Sequence, residues 1–249
     1  MSGESEERRK TLVLTGASRG IGHATVKTFS AAGWRVITCS RHDFPEECPW
    51  VSGPENHMKI DLASEKGVKE GVIKIRELLE HGALDALVNN AAISPKSARG
   101  GRLGFVETEA ALWHQVFQVN FFAPLLLAKG LLDTLARVQG SIINVTSIAG
   151  TRVHQFAGPA YATSKAALAA LTREMAADLG PKGVRVNAIA PGEIDTAILS
   201  PGTENLVQSI PLRRLGTPEE VAALIYFLCS SKAAYMTGAE IHINGGEHV

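Results

Sequence analysis

The chain has 249 residues, a formal charge of zero from 25 basic and 25 acidic side chains, 45% hydrophobic residues and 20% charged ones. That balance lacks the basic excess that nucleic acid or an anionic membrane calls for, and it is the composition of a globular chain. The length suffices for one large core, and the most apolar stretch, 121–128, contains Pro124 and stops at Lys129, far short of the roughly 20 residues of a membrane span.

The first ten residues are charged from Glu4 to Lys10 and are expected to be flexible; the apolar stretch after them, 12–14, is too short for a secretory signal. Cys39, Cys48 and Cys229 are too few and too scattered for a disulfide framework, and the eight histidines show no ligand spacing. A cytoplasmic protein without a structural metal is expected.

Runs of β-branched residues then alternate with amphipathic ones. The pattern predicts a strand at 11–15, a helix at 20–32, a strand at 35–39 and an apolar segment ending at Ile60. A helix at 64–80, a strand at 84–88, one long helix at 109–137 and a strand at 141–145 follow. A helix from Pro159 to 179, a strand at 184–190, a helix at 218–228 and a strand at 240–243 complete the chain. Seven strands joined by crossover helices, with no linker or repeat, define an α/β fold: a single Rossmann-like, doubly wound domain over 1–249, its sheet mostly or fully parallel. Two long loops stand out. Residues 94–104 carry Lys96, Arg99, Arg102 and three glycines, and 192–216 is the expected substrate loop.

Strand 11–15 runs directly into Gly16, Ala17, Ser18, Arg19, Gly20, Ile21 and Gly22. Three glycines around a helix start let the backbone approach a pyrophosphate, so this loop reads as a dinucleotide site. The end of the second strand carries Ser40 and Arg41 where an acidic residue would bind a ribose 2′-hydroxyl. Arg41 and Arg19 suit a 2′-phosphate instead, which favours NADP, with Asp43 nearby arguing the other way.

Tyr161 and Lys165 lie four apart on a helix and so share a face, and Ser147 ends a strand at the carboxyl edge where such sheets place ligands. Reduction of a ketone needs a hydride on carbon and a proton on oxygen; a phenol whose pKa is lowered by a neighbouring ammonium supplies the proton, and a hydroxyl stabilises the developing charge.

The order of these motifs, Thr-Gly-x3-Gly-x-Gly, Asn89-Asn90-Ala91-Ala92, Ser147, Tyr-x3-Lys and Pro191-Gly192, resembles the short-chain dehydrogenase/reductase family over nearly the whole chain. The resemblance implies that Asp61 and Leu62 contact adenine, with an N-cap role also open for Asp61. It implies that Asn89 and Ala91 lie beside the cofactor, and that Lys165 also holds the nicotinamide ribose. It further implies that Asn120 carries a water of the proton relay and that Ile194 and Thr196 bind the carboxamide. His154 and Gln155 read as solvated loop residues.

Within that family the segment 214–221 and the tail 235–246 are similar to bacterial 3-oxoacyl-acyl-carrier-protein reductases. The implied activity is NADP-dependent hydride transfer between nicotinamide and a carbonyl or secondary alcohol, with a 3-oxoacyl thioester as the leading substrate. The substrate loop offers Ile194, Ala197, Ile198, Leu199, Leu206, Val207 and Ile210 to an acyl chain, and Arg137 and Lys182 stand near positions that dock the acidic carrier in similar reductases. A sugar, polyol, cyclic-ketone or steroid dehydrogenase of the same family remains open, as does a catalytically silent NADP-sensing protein. Phe117, Phe121, Leu168 and Leu171 on the long helices suit the family's homotetramer.

Overall fold

Strand β1 (Thr11–Thr15) is buried along its length, and its period of two sends Leu12 and Leu14 to one face of the sheet and Val13 to the other. The computed structural model describes residues 8–41, 53–98, 100–196 and 203–249. The remaining strands are β2 (Arg35–Ser40), β3 (His57–Lys59), β4 (Ala86–Asn89), β5 (Ser141–Val145), β6 (Arg185–Pro191) and β7 (Glu240–Ile243). All pair in parallel in the order β3-β2-β1-β4-β5-β6-β7. The strand order reverses direction between β1 and β4, which opens a crevice at their carboxyl ends.

The helices are α1 (Gly20–Ala31), α2 (Glu65–Leu78), α3 (Ala110–Phe117), α4 (Ala123–Gly130), α5 (Leu132–Ala136), α6 (Pro159–Leu179) and α7 (Pro218–Cys229). Val26 and Phe29 of α1 and Val221, Ile225 and Leu228 of α7 pack with Leu12 and Leu14 on one face. Val68, Val72 and Ile75 of α2, Leu127 of α4, Leu135 of α5 and Ala176 of α6 cover Val13 on the other. Start signals in the sequence are used as written: the Ser64 hydroxyl caps α2 through the amide of Gly67, and Thr217 with Glu220 forms a capping box on α7.

The expected single helix 109–137 is three helices. Gln118–Phe122 forms a π turn between α3 and α4, and Leu131 breaks the path to α5. Pro124 explains the first interruption: it has no N–H to give the carbonyl of Asn120 four residues back, so the helix widens just before it. No helix among the described residues is long and apolar enough to cross a membrane. Cys39 and Cys229 are buried thiols, each pushed up to about 12 by burial.

Candidate active site

A cleft of about 650 Å³ opens at the carboxyl ends of β1, β2, β4, β5 and β6. One half is built by the glycine loop. Gly16 turns at φ +71°, and a Cβ on Gly22 would stand 2.0 Å from the Gly16 carbonyl oxygen, so the first turn of α1 packs directly on the end of β1. Asn90 locks this arrangement. Its Nδ2 donates to the carbonyls of Thr15 and Gly16 at 3.2 and 2.9 Å, while its amide and that of Ala91 donate to the Thr15 hydroxyl at 3.1 Å. No side chain caps α1, so its first amides are left for an anion at the cleft. These are the features a dinucleotide pyrophosphate requires, and the residues fit such a group.

Ser18, Arg19, Gly20 and Ile21 line the cleft, as do Ser40, Arg41, Leu62, Ala91, Pro191, Gly192, Ile194 and Thr196. Arg19 and Arg41 are both exposed, and His57 holds the Ser40 hydroxyl at 3.3 Å. Asp43 lies outside the described residues. Four expected site residues stand elsewhere. Gly22 packs behind the loop, and Asp61 is exposed, its carboxylate accepting from the amide of Ala63 at 3.0 Å. Asn89 is buried and donates to Asn144, which donates in turn to Thr172, so this asparagine belongs to an internal chain and its neighbour Asn90 to the site. Asn120 is fully buried; its Oδ1 accepts from the amide of Ile93, and its Nδ2 donates to the Ile93 carbonyl and the Ser164 hydroxyl. That side chain is a strut under the segment after β4.

The other half of the cleft brings Ser147, Tyr161 and Lys165 together. Pro159 sets the start of α6 with its fixed φ, which places Tyr161 in the first turn and Lys165 one turn later. Ser147 follows β5 and lines the cleft beside the phenol, its hydroxyl accepting from the amide of Ala149 at 3.2 Å. Lys165 is buried, and its Nζ donates to the Val145 carbonyl at 2.6 Å, 5.7 Å from the centre of the Tyr161 ring. The expected lowering of the phenol by Lys165 does not occur. Burial pushes Tyr161 above its ordinary value, with the Ser147 hydroxyl opposing and the Glu193 carboxylate adding to the rise. Burial also lowers Lys165 to about 7, so the ammonium that was to tune the phenol is itself disfavoured.

This gives a stability prediction of definite sign. Between about 7 and the ordinary 10.5, the unfolded chain protonates Lys165 more fully than the folded one, so this group's contribution grows as pH rises and is lost as pH falls towards 7. Lys165→Met should therefore flatten the rise of Tm between about pH 7 and about pH 9.5. Scanning calorimetry without dinucleotide checks it, and equal slopes in both proteins would refute it.

Sequence reasoning missed a polar cluster at the same end. His154 is buried, not solvated, and its Nε2 lies 2.6 Å from Glu193 Oε1. Glu247, from the C-terminal tail, completes a group whose ligating atoms all lie within 4.8 Å of one another. The tail is drawn in by Arg152, whose guanidinium donates to the Glu247 carbonyl. The loop 94–104 closes on the same segment through Lys96 to the Phe156 carbonyl at 2.6 Å and Arg102 to that of Ala157 at 3.0 Å. A histidine and two glutamates so far apart in sequence carry no spacing signal, which is why they were not found.

The model of a family described as Enoyl-(Acyl carrier protein) reductase matches residues 16–248. Protein FixR of Bradyrhizobium diazoefficiens is 57% identical over 242 residues, 96% of this chain and 87% of its own length. The 3-oxoacyl-acyl-carrier-protein reductase FabG of Aquifex aeolicus is 34% identical over 252 residues, covering 95% of this chain and 96% of its own. A solved oxidoreductase from Brucella ovis, of the short chain dehydrogenase/reductase family and in complex with a partially ordered NAD, is 60% identical with a TM-score of 0.84, covering 95% of this chain and 100% of that one. The chain belongs to the short-chain dehydrogenase/reductase family. It is an oxidoreductase of that family.

Proposed function

We propose that this is a cytoplasmic, NADP-preferring enzyme that interconverts a ketone and a secondary alcohol. The observation that carries the reading is the meeting of Ser147, Tyr161 and Lys165 in one cleft with the glycine loop. The bound dinucleotide supplies the hydride. Tyr161 donates the proton to the carbonyl oxygen, as the phenol that lines the reacting end of the cleft. Ser147 donates a hydrogen bond to the same oxygen as charge develops there. Lys165, fixed by the Val145 carbonyl, is placed to hold the nicotinamide ribose.

The 2′-phosphate preference rests on Arg41 and Arg19, two exposed cations on the cleft with no carboxylate lining it beside them among the described residues. NADPH should be used with at least about tenfold higher kcat/KM than NADH, and Arg41→Asp should reverse the order by replacing attraction with repulsion. Steady-state kinetics with both cofactors tests this; equal efficiency in the wild type would overturn the preference.

The FabG relative's name supports a 3-oxoacyl thioester as substrate, on acyl carrier protein or free. The side chains expected to hold an acyl chain and its carrier add no further support to that substrate. Residues 197–199 lie outside the described residues, and of the other apolar side chains expected for an acyl chain, Ile194 lines the cleft while Leu206, Val207 and Ile210 do not. Arg137 and Lys182 are exposed but follow α5 and α6, beside the starts of β5 and β6, at the edge of the sheet away from the cleft of their own chain. They do not form its rim. A homotetramer fits the aromatic ladder of Trp113, Phe117 and Phe121, with ring centres 6.4 and 6.2 Å apart, along α3 and the π turn.

A further inference from the structure

His154, Glu193 and Glu247 form a buried polar niche beside the reacting end of the cleft, and its hydrogen bonding is incomplete. His154 and Glu247 are 8% and 4% exposed, yet His154 Nε2 and Glu247 Oε2 have no hydrogen-bond partner among the described residues. The Phe156 amide donates to His154 Nδ1 at 3.2 Å, which leaves the ring proton on Nε2. Glu193 Oε1 lies 2.6 Å from that nitrogen but off the N–H direction, so the donor is not used. Buried polar atoms in this state are expensive unless a ligand completes them. The niche thus presents one unused donor and one unused carboxylate oxygen, with His154 and Glu193 both lining the cleft.

We propose that this niche is a specificity site for a hydroxyl group carried by the substrate next to the reacting carbon. A hydroxyl satisfies both needs at once, accepting from His154 Nε2 and donating to a carboxylate, which neither an alkyl chain nor a carboxylate can do. The charge of Glu193 also turns away substrates with a carboxylate at that place. The Lys96 ammonium, donating to the Phe156 carbonyl, and the Arg152 guanidinium, donating to that of Glu247, offset this charge in part. The inference rests on the reading that Tyr161 marks the reacting end, and it assigns a hydroxy-ketone or polyol class to the same site.

Three ketones matched in length test it: one with a neighbouring hydroxyl, one with hydrogen there, one with a carboxylate. A site built around a hydroxyl discriminates strongly against its absence, so kcat/KM should favour the hydroxy-ketone over the unsubstituted ketone by at least about tenfold. The ratio should fall to about threefold or less in His154→Ala and in Glu193→Gln, and Glu193→Gln should raise turnover of the carboxylate about tenfold or more. Glu193→Asp, which restores the charge, should restore the rejection of the carboxylate. Calorimetric titration of the chain loaded with NADP⁺ with the matched diol and mono-alcohol reads the same preference without turnover. Preference for the diol with no turnover of any ketone would support the niche while removing the proposed reaction. A wild-type ratio near one in both measurements, or a ratio that neither variant changes, would overturn the inference.

Discussion

Tyr161→Phe is expected to reduce kcat by at least about 100-fold, the lower end of what a positioned general acid contributes. Dinucleotide affinity should change by less than about threefold, because the ring that faces the Lys165 ammonium is retained and the glycine loop is untouched. The hydroxyl lines the cleft together with Ser147. Removing it leaves Ser147 able to polarise a carbonyl oxygen but with no proton to deliver. The loss should therefore appear in kcat and in kcat/KM together. NADPH-oxidation kinetics with any ketone the wild type reduces, alongside a fluorescence titration of NADPH, separates the two effects. A variant that keeps more than about a tenth of the wild-type kcat would remove Tyr161 from the role of proton donor.

The frame of the molecule was legible because it is built from local signals that agree with one another. The five residues 11–15 are β-branched or apolar and run into three glycines, so both β1 and the start of α1 follow from sequence alone. The long helix failed for the opposite reason. Its apolar period continues from Trp113 to Leu135 across Pro124 and Gly130, and the cost of Pro124 falls on a carbonyl four residues earlier, where the sequence shows only Asn120. The site divides in the same way. Ser147, Tyr161 and Lys165 follow a strand end or a helical period and could be placed in advance. The choice between Asn89 and Asn90 could not, since it depends on which side of the sheet each faces: Asn89 meets Asn144 in the interior, and Asn90 meets the glycine loop. The His154, Glu193 and Glu247 niche depends on three segments folded together, one of them the C-terminal tail. Even the electrostatic argument for Lys165 needed the fold, because burial lowers the lysine and raises the phenol, a result opposite to the one that the pair suggests on paper.

Gly22→Ala should weaken dinucleotide binding by about 100-fold, the scale of losing one or two hydrogen bonds to a charged group at ~1.5–3 kcal/mol each. Gly22 does not need a glycine for its backbone angles, since its φ is not among the positive ones. The cost is one of space. The added Cβ would stand 2.0 Å from the Gly16 oxygen and 2.8 Å from Asn90 Nδ2, and neither atom can yield freely: Asn90 holds that oxygen at 2.9 Å while its own backbone is tied to Thr15. Relief must come from moving α1 away from β1, which carries the first-turn amides away from the pyrophosphate position. Gly33→Ala is the matching control. Gly33 has φ +80° but nothing within 4 Å of an added Cβ, so that variant loses roughly 1 kcal/mol of stability to backbone strain and keeps its affinity. Titration of NADPH into both variants, with Tm measured in parallel, distinguishes a displaced loop from a merely less stable fold: equal loss of affinity in the two variants would show that general destabilisation, and not the packing of Gly22 on Gly16, governs dinucleotide binding.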